Sequence, residues 1–217
     1  MLSDINDDLI NVYLQVRDKY LEVIDGLRSL RVTKKQYYEL RRAVSSCPIE
    51  RAVRFLYLNR TAFAGMYRLN RAGKFNVPYG GGARTPEPLW RSGLLERASV
   101  ALQGVVLKTC DFEVAIDGAG KSDLVYCDPT YTVAHENNGF VRYNERNFSW
   151  EDQIRLASAC TRAADRGATV VVSNAWHSSI RQLYPDARAE KVQRKSLVSR
   201  AVEARRVVHE YLFLIER

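Results

Sequence analysis

Four consecutive residues, Asp128-Pro129-Thr130-Tyr131, have the types needed to bind an amine on an aromatic ring and to stack on that ring. They follow the apolar run 124–127, which predicts a buried strand, and Pro129 ends that strand because proline lacks a backbone N–H. The Asp128 carboxylate and the Pro129 carbonyl could each accept one N–H of the amine. Ligands of open α/β sheets bind at this end of a strand. The alternative interpretation is an ordinary Asp-Pro turn.

These four residues resemble the Asp-Pro-Pro-Tyr signature of amino-group DNA methyltransferases, with Thr130 in place of the second proline. The amine of adenine is a poor nucleophile because its lone pair is delocalised into the ring. The resemblance implies that Asp128 and Pro129 orient this amine and that Tyr131 stacks on a base extruded from the duplex. Asp128, Pro129 and Tyr131 are therefore the predicted catalytic residues.

A second segment, residues 58–82, alternates aromatic residues with arginine, asparagine and glycine. Arginine binds phosphates and guanine edges, asparagine suits adenine edges, and glycine permits close backbone approach. A surface hairpin or loop is the alternative interpretation. The predicted DNA-binding residues are Asn59, Arg60, Phe63, Arg68, Asn70, Arg71, Lys74, Asn76 and Pro78.

The segment resembles the DNA-contact region of adenine methyltransferases that modify GATC-like sites. In that family an acid-Ile-Asn stretch precedes the region and the Asp-Pro-Pro-Tyr signature follows it, as Asp4-Ile5-Asn6 and Asp128 do here. The resemblance implies that Arg68 reads a guanine and that Pro78 lies near the same base pairs. Phe63 replaces a frequent tyrosine, and Ala64 and Met66 replace an asparagine and a leucine, so the exact recognition site stays open.

The resemblance also implies S-adenosylmethionine as the cofactor, held by residues that follow predicted strands. Asp4 would bind ribose hydroxyls, and Asp111 and Phe112 would lie beside the adenine ring of the cofactor. Asp128 completes this set. Each of the first two acids has an alternative interpretation, because Asp4 can cap a helix and Asp111 can be an ordinary residue at a strand end.

The charge is unevenly distributed, which favours a polyanionic partner. Residues 28–97 contain 15 Lys or Arg and four Asp or Glu, a net charge of +11; the whole chain carries +8, which leaves −3 for the remainder. A basic block on a nearly neutral body is typical of nucleic-acid binding. Double-stranded DNA is the predicted partner. A second basic cluster spans residues 188–206.

Composition argues against a metal site and against a membrane-bound protein. Four widely spaced cysteines and three scattered histidines lack metal-ligand spacing, so we expect no metal, and reduced thiols suit a cytoplasmic protein. No apolar run approaches the ~20 residues of a membrane helix, and the amino terminus lacks a signal-peptide pattern, so no membrane partner is expected. The sequence does not indicate the oligomeric state or the biological setting, whether restriction, repair or phage defence.

The periodicity of apolar residues predicts the elements that position these residues. Residues 12–58 are mainly helical, with Asn6 or Asp7 as the first cap and Pro48 opening a new helix. One helix is predicted over 89–103 and one from Ser149 to about Arg166, the latter with Asp152 as capping partner.

Strands are predicted at 105–107, 124–127 and 168–173, with Ser173-Asn174 matching a Ser-Asn pair of the family. The helix predicted at 178–183 leads to an antiparallel pair formed by the regions of Val192 and 207–215. A glycine- and asparagine-rich loop at 136–143 is expected to close over the site.

The predicted fold is α/β, a Rossmann-like methyltransferase sheet with an inserted, mainly helical DNA-recognition subdomain. The catalytic domain comprises residues 1–30 and 99–217, and the subdomain comprises residues 31–98. The implied function is methyl transfer from S-adenosylmethionine to adenine N6 in duplex DNA. A catalytically silent DNA-binding remnant and an RNA adenine methyltransferase are the alternatives.

The first strand of the family fold and its glycine-rich turn have no counterpart here, because Met1 falls at the second strand. An earlier glycine-lysine segment of the family is missing as well. We therefore expect a truncated chain that alone binds S-adenosylmethionine poorly, methylates weakly or not at all, and aggregates through an exposed sheet edge. Calorimetric titration with S-adenosylmethionine measures the cofactor affinity and so tests this expectation.

Overall fold

The computed structural model describes residues 1–70, 73–133, 148–195 and 207–217, with only the backbone described at Arg194, Lys195 and Val208. Within these ranges the chain forms two compact units, Met1–Cys110 and Asp111–Arg217. The predicted closing loop at 136–143 lies outside the described residues. Residues 196–206 of the second basic cluster lie outside them as well. The predicted subdomain at 31–98 stays a prediction.

The first unit combines a short parallel sheet with helices. β1 (Leu2–Asp4) pairs in parallel with β2 (Leu107–Thr109), and the register places Asp4 opposite Thr109. The long helix α1 (Asp7–Arg28) begins where the Asn6 side chain accepts the backbone N–H of Leu9 at 3.2 Å, as one of the two predicted caps.

Two further helices contribute to the core of this unit. α2 (Lys34–Arg42) begins after the cap residue Thr33, and α3 (Pro48–Thr61) begins at Pro48, as predicted. Buried apolar residues of α1 and α3 share one cluster, which α2 joins through Tyr37. Arg51 of α3 binds Asp7 at 2.5 Å and Asp8 at 2.6 Å, so these ion pairs link α3 to the first turn of α1.

The single helix predicted over 89–103 is wrong, because two helices occupy this stretch. α4 (Pro88–Arg91) ends before Gly93, which adopts a left-handed conformation at φ +67°, and α5 (Leu94–Leu102) begins after it. A helix cannot continue through that conformation. Strand β2 also begins later than predicted, since the N–H of Val105 still donates to Leu102 in the turn after α5.

In its described part, the second unit is a four-stranded mixed sheet with helices. Its strands are β3 (Leu124–Cys127), β4 (Thr169–Ala175), β5 (Arg188–Lys195) and β6 (Val207–Ile215), in the spatial order β3-β4-β6-β5. β3 and β4 are parallel, whereas β6 is antiparallel to both of its neighbours, which confirms the predicted antiparallel pair. Among the described residues β3 is an edge strand, with Leu124 and Tyr126 exposed.

Among the residues that the structure describes, three helices accompany this sheet: α6 (Phe112–Asp117), α7 (Trp150–Asp165) and α8 (Ser178–Leu183). One face of α7 carries Leu156, Cys160 and Ala163 into the same buried cluster as Val170 and Val172 of β4. This parallel β3-α7-β4 arrangement places the residues after β3 beside the residues at the end of β4. In the described ranges, no helix is long and apolar enough to cross a membrane.

We expect Ser149→Ala to lower the free energy of unfolding by about 1 kcal/mol. Ser149 Oγ accepts the N–H of Asp152 at 3.1 Å, while Asp152 Oδ2 accepts the N–H of Ser149 at 2.9 Å, forming the predicted capping box. Urea denaturation at neutral pH measures the change. Ser158→Ala on the exposed face of the same helix is the control and should leave the midpoint nearly unchanged.

The Asp152 carboxylate should make this stability depend on pH. Burial alone would raise the pKa of Asp152, but hydrogen bonds from Ser149 and Arg155 outweigh it and hold the pKa below its usual value. A lowered pKa in the folded state contributes stability at neutral pH that is lost as the pH falls through that pKa. Asp152→Asn should therefore differ most from the wild type at neutral pH and least in acid, and a constant difference across that range would contradict this assignment.

Candidate functional site

Asp128 follows β3 directly, and a neighbouring strand end holds its carboxylate. The parallel register pairs Cys127 with Val172, so Ser173 follows at the same edge of the sheet. Ser173 Oγ donates to Asp128 Oδ1 at 2.7 Å. Asp128 is itself exposed. The predicted catalytic acid is therefore accessible and oriented by a hydroxyl of β4.

A second hydroxyl continues this contact. Tyr126 precedes Asp128 by two residues on β3, and its hydroxyl donates to Ser173 Oγ at 3.3 Å. With its own proton directed to Asp128, Ser173 accepts from Tyr126 and donates to the carboxylate. The period of two along a strand is the signal that could have placed Tyr126 and Asp128 together.

Buried amides hold the loop that follows Asp128. Gln153 of α7 donates from Nε2 to the carbonyl of Thr130 at 3.3 Å, and Asn174 of β4 donates from Nδ2 to Gln153 Oε1 at 2.9 Å. Asn174 Oδ1 in turn accepts the backbone N–H of Ala175 at 2.8 Å. Gln153 and Asn174 are fully buried, where unpaired amides would be costly.

The hydrogen bond from Gln153 restrains the carbonyl of Thr130, the residue that follows Pro129. Pro129 and Tyr131 are both half-buried in the loop, and their roles toward a base stay predictions. Sequence analysis missed Gln153, although a glutamine on the apolar face of α7, in line with Leu156, Ala157 and Cys160, is a recognisable signal.

Asp111 and Phe112, the predicted cofactor residues after β2, make well-defined contacts within the second unit. Asp111 Oδ1 caps α6 by accepting the N–H of Glu113 at 2.9 Å, and it also binds Arg155 at 2.9 Å. The guanidinium carbon of Arg155 lies 4.9 Å from the centre of the Phe112 ring, and Phe148 lies 5.6 Å away. Their role at a cofactor stays a prediction.

Asp4 lies at the end of β1 in the first unit. Its Oδ1 accepts the N–H of Asn6 at 2.7 Å, and Asn6 rather than Asp4 is the residue that caps α1. In the described part of the chain no donor contacts Oδ2, so one carboxylate oxygen is available to a hydroxyl. An acid at the end of a strand is the type of group that holds ribose hydroxyls. The available oxygen of Asp4 therefore suits a ribose hydroxyl, and its role at a cofactor stays a prediction.

The described part of the predicted DNA-contact segment forms a hairpin in the first unit, here called the recognition hairpin (residues 61–70 and 73–80). The N–H of Gly80 donates to Thr61 at 2.9 Å and that of Phe63 to Pro78 at 2.9 Å, which closes its base. Towards the tip, the N–H of Asn76 donates to Arg68 at 3.0 Å and that of Asn70 to Lys74 at 2.8 Å. The hairpin therefore carries its polar residues on a hydrogen-bonded backbone.

Aromatic and polar contacts attach the recognition hairpin to the helices. The Tyr67 ring lies 5.0 Å from Phe55 of α3 and 5.5 Å from Phe75. Tyr37 of α2 donates its hydroxyl to the carbonyl of Val77 at 2.9 Å, and burial raises the pKa of Tyr37 to about 12. Arg41 donates to the same carbonyl at 3.2 Å. These anchors were not recognised in the sequence, because they depend on long-range packing.

Arg68, the predicted guanine reader, is oriented within the recognition hairpin. Its Nε donates to Asn76 Oδ1 at 2.8 Å, so two predicted DNA-binding residues contact each other. This contact fixes the plane of the guanidinium, which a bidentate contact to guanine requires. Asn76 therefore supports Arg68 from within the protein.

The other predicted DNA-binding residues lie on or beside the recognition hairpin. Asn70 Oδ1 accepts the N–H of Lys74 at 3.0 Å, and Lys74 and Pro78 are exposed. Phe63 is half-buried against the core. Asn59 and Arg60 precede the hairpin on α3. Arg71 lies outside the described residues.

No cluster of three or more His, Cys, Asp or Glu side chains suited to a metal ion occurs in the described ranges. The catalytic candidates lie in the second unit and the recognition hairpin in the first.

The sequence of this chain is similar to that of known methyltransferases along nearly its whole length. The family described as D12 class N6 adenine-specific DNA methyltransferase matches residues 1–198. The DNA N-6-adenine-methyltransferase of Escherichia phage P1 is 34% identical over 99% of this chain, which spans only 29% of that protein.

Two other relatives are covered more completely. The type II methyltransferase M1.LlaDCHI of Lactococcus lactis subsp. cremoris is 34% identical, with 89% of this chain and 71% of the relative aligned. The DNA adenine methylase of Salmonella typhi is 31% identical, with 100% and 79% aligned. Together with the acid-Pro-Thr-Tyr turn held at the end of β3, these matches show that the chain belongs to the D12 class of N6 adenine-specific DNA methyltransferases.

Proposed function

We propose that this chain transfers a methyl group from S-adenosylmethionine to N6 of adenine at a specific site in double-stranded DNA. The observation that carries the proposal is the accessible Asp128 carboxylate, held by Ser173 next to Pro129 at the end of β3. The family match supports adenine as the base. In this proposal Asp128, Pro129 and Tyr131 contact the target base.

The residues act on the amine by hydrogen bonding. Asp128 and the Pro129 carbonyl each accept one N–H of the adenine amine, which draws its nitrogen lone pair out of conjugation with the ring. S-adenosylmethionine, when bound, supplies an electrophilic methyl group. Because Asp128 is already positioned by Ser173, little reorganisation is needed as positive charge develops on the nitrogen. Tyr131 stacks on the extruded base.

The fold proposed for this activity is a Rossmann-like sheet with a DNA-recognition subdomain at residues 31–98. The parallel β1–β2 and β3–β4 pairs support it, because parallel neighbours joined through helices are typical of that fold. Asp4, Asp111, Phe112 and Asp128 are the proposed cofactor residues. Each of them lies at or just after a strand end.

Incubation of the purified chain with tritiated S-adenosylmethionine tests the activity. Unmethylated duplex DNA and a structured RNA of the same sequence serve as parallel substrates, and the product nucleoside is identified by mass spectrometry. The proposal requires N6-methyladenine in the duplex DNA. Label found only in RNA, or in cytosine, would contradict it.

Ser173→Ala should lower the methyl-transfer rate by about tenfold and leave DNA affinity unchanged, because one hydrogen bond that positions Asp128 is removed. Single-turnover kinetics with saturating DNA measures the rate. Ser173→Thr retains the hydroxyl and should recover part of it. Ser179→Ala, a serine on α8 bonded to His177, is the control and should keep the wild-type rate. A wild-type rate in Ser173→Ala would remove Ser173 from this role.

A further inference from the structure

A second arginine lies beside the recognition hairpin, in a position that sequence analysis did not single out. The guanidinium of Arg84 packs over Gly65, so closely that a methyl group on Gly65 would overlap it. Gly65 itself has φ +65°, a conformation that other residues seldom adopt. The contact therefore depends on glycine at this position.

Two predicted DNA-binding residues, Asn59 and Arg60, lie near Arg84. Together with Gly65 and Thr85 these three residues form what is here called the corner. Asn59 donates from Nδ2 to the carbonyl of Gly65 at 3.3 Å, and Arg60 donates from Nε to the carbonyl of Thr85 at 3.2 Å. Thr85 follows Arg84 directly. The end of α3, the first turn of the recognition hairpin and the loop after the hairpin thus converge, and two guanidinium groups are held here by backbone carbonyls and by packing.

No acid among the residues that the structure describes pairs with the two arginines at this corner. Burial lowers the pKa of Arg60, and the positive charge of Arg84 lowers it further. Within the part of the chain that the structure describes, neither Arg60 nor Arg84 forms an ion pair with a carboxylate. Arg51, by contrast, pairs with Asp7 and Asp8. Like charges that are half-buried together destabilise each other, and a bound anion relieves that repulsion.

A phosphodiester is the anion that fits this corner. Guanidinium groups present several N–H donors in a plane and bind phosphate oxygens in pairs. Three glycines precede Ala83 and Arg84. Two of them have positive φ, and the exposed Gly81 has open space where a side chain would lie. A nucleic-acid strand can therefore approach the backbone closely. The corner also adjoins the hairpin that carries Arg68.

We propose that Arg60 and Arg84 together bind one backbone phosphate of DNA. This inference rests on the proposed function and adds Arg84 to its DNA interface. A phosphate held here fixes the register of the duplex against the recognition hairpin, because phosphate contacts position a protein whereas base contacts read the sequence. Arg84 then contributes to affinity on every sequence.

Binding of fluorescent duplexes over a series of salt concentrations tests the proposal. Arg84→Ala should bind about tenfold more weakly at fixed salt, equally on matched and mismatched duplexes, and should reduce the salt slope by about one. Arg84→Lys keeps the charge and should keep the slope. Arg91→Ala is the matched control, because Arg91 is exposed and already pairs with Glu87 at 2.8 Å; its slope should be that of the wild type.

Duplexes with a single neutral methylphosphonate identify the phosphate. Moved along each strand, this group should weaken wild-type binding at one position where it weakens Arg84→Ala clearly less, because only Arg60 remains to bind that phosphate in the variant. The proposal is overturned if Arg84→Ala keeps the wild-type slope, or if the same positions weaken both proteins equally. Circular dichroism verifies that each variant is folded, and Arg84→Gln, which also removes the charge, takes the place of Arg84→Ala if that variant is not.

Failure of this inference is distinguishable from failure of the proposed function. If the wild type methylates duplex DNA and Arg84→Ala binds it normally, only the phosphate site is wrong. If the wild type shows no salt-dependent binding to duplex DNA at all, both the proposed function and this inference are overturned.

Discussion

Asp128→Ala is expected to lower the rate of methyl transfer by about 100- to 1000-fold while DNA affinity stays nearly unchanged. A loss of this size is typical when one preorganised electrostatic contact to the transition state is removed. Asp128 is exposed at the end of β3, and its Oδ1 accepts the Ser173 hydroxyl at 2.7 Å. It therefore keeps acceptor capacity for an amine, and its negative charge would weaken rather than strengthen phosphate binding.

Single-turnover methylation with saturating duplex measures the rate, and fluorescence anisotropy measures the affinity. Asp128→Asn keeps the shape and one acceptor oxygen but loses the charge, so it should be slower than the wild type and faster than Asp128→Ala. Asp123→Ala, at an exposed acid just before β3, is the control with the same change of charge. Near-normal turnover of Asp128→Ala would show that the proposed mechanism is wrong.

Arg68→Ala is expected to relax sequence preference, with the discrimination at one base pair falling by about 1–3 kcal/mol. The reason is that Nε of Arg68 is held by Asn76 at 2.8 Å, which orients the guanidinium for a bidentate contact to guanine. Binding to matched duplexes and to every single-mismatch duplex at fixed salt measures the preference.

Lys74→Ala is the matched control, since Lys74 is an exposed cation of the same hairpin. It should weaken binding on all duplexes alike, because phosphate contacts carry no direct sequence information. Asn76→Ala should lose part of the same discrimination as Arg68→Ala, through misorientation of its guanidinium. Equal losses on all duplexes for Arg68→Ala would exclude Arg68 from base reading.

Local signals in the sequence predicted most helices and strands because those signals are local in physical origin. Asn6 caps α1, Pro48 opens α3, and Ser149 with Asp152 forms a capping box, each through contacts with residues no more than four positions away. The single helix predicted over 89–103 was wrong. The apolar periodicity continues past Gly93, but the left-handed backbone conformation of Gly93 interrupts the helix.

The candidate site could be predicted only in part. Asp128 was recognised from its neighbours along the chain, but the hydroxyl that holds it lies 45 residues away on another strand. Gln153 lies 23 residues from the carbonyl of Thr130 and 21 from Asn174. No local pattern in the sequence encodes contacts between residues so far apart along the chain, because these contacts follow from strand order and register.

Residue types and their order along the chain are sufficient to identify the family, the acid at the strand end and the basic, aromatic segment that carries Arg68. The groups that support these residues follow from the folded arrangement of the chain. The parallel pairing of β3 with β4 places Ser173 against Asp128, and chain folding around Gly65 brings Arg84 to Arg60. Hydrogen bonds and charge interactions act over a few ångströms, so partners distant in sequence become partners only when the fold closes that distance.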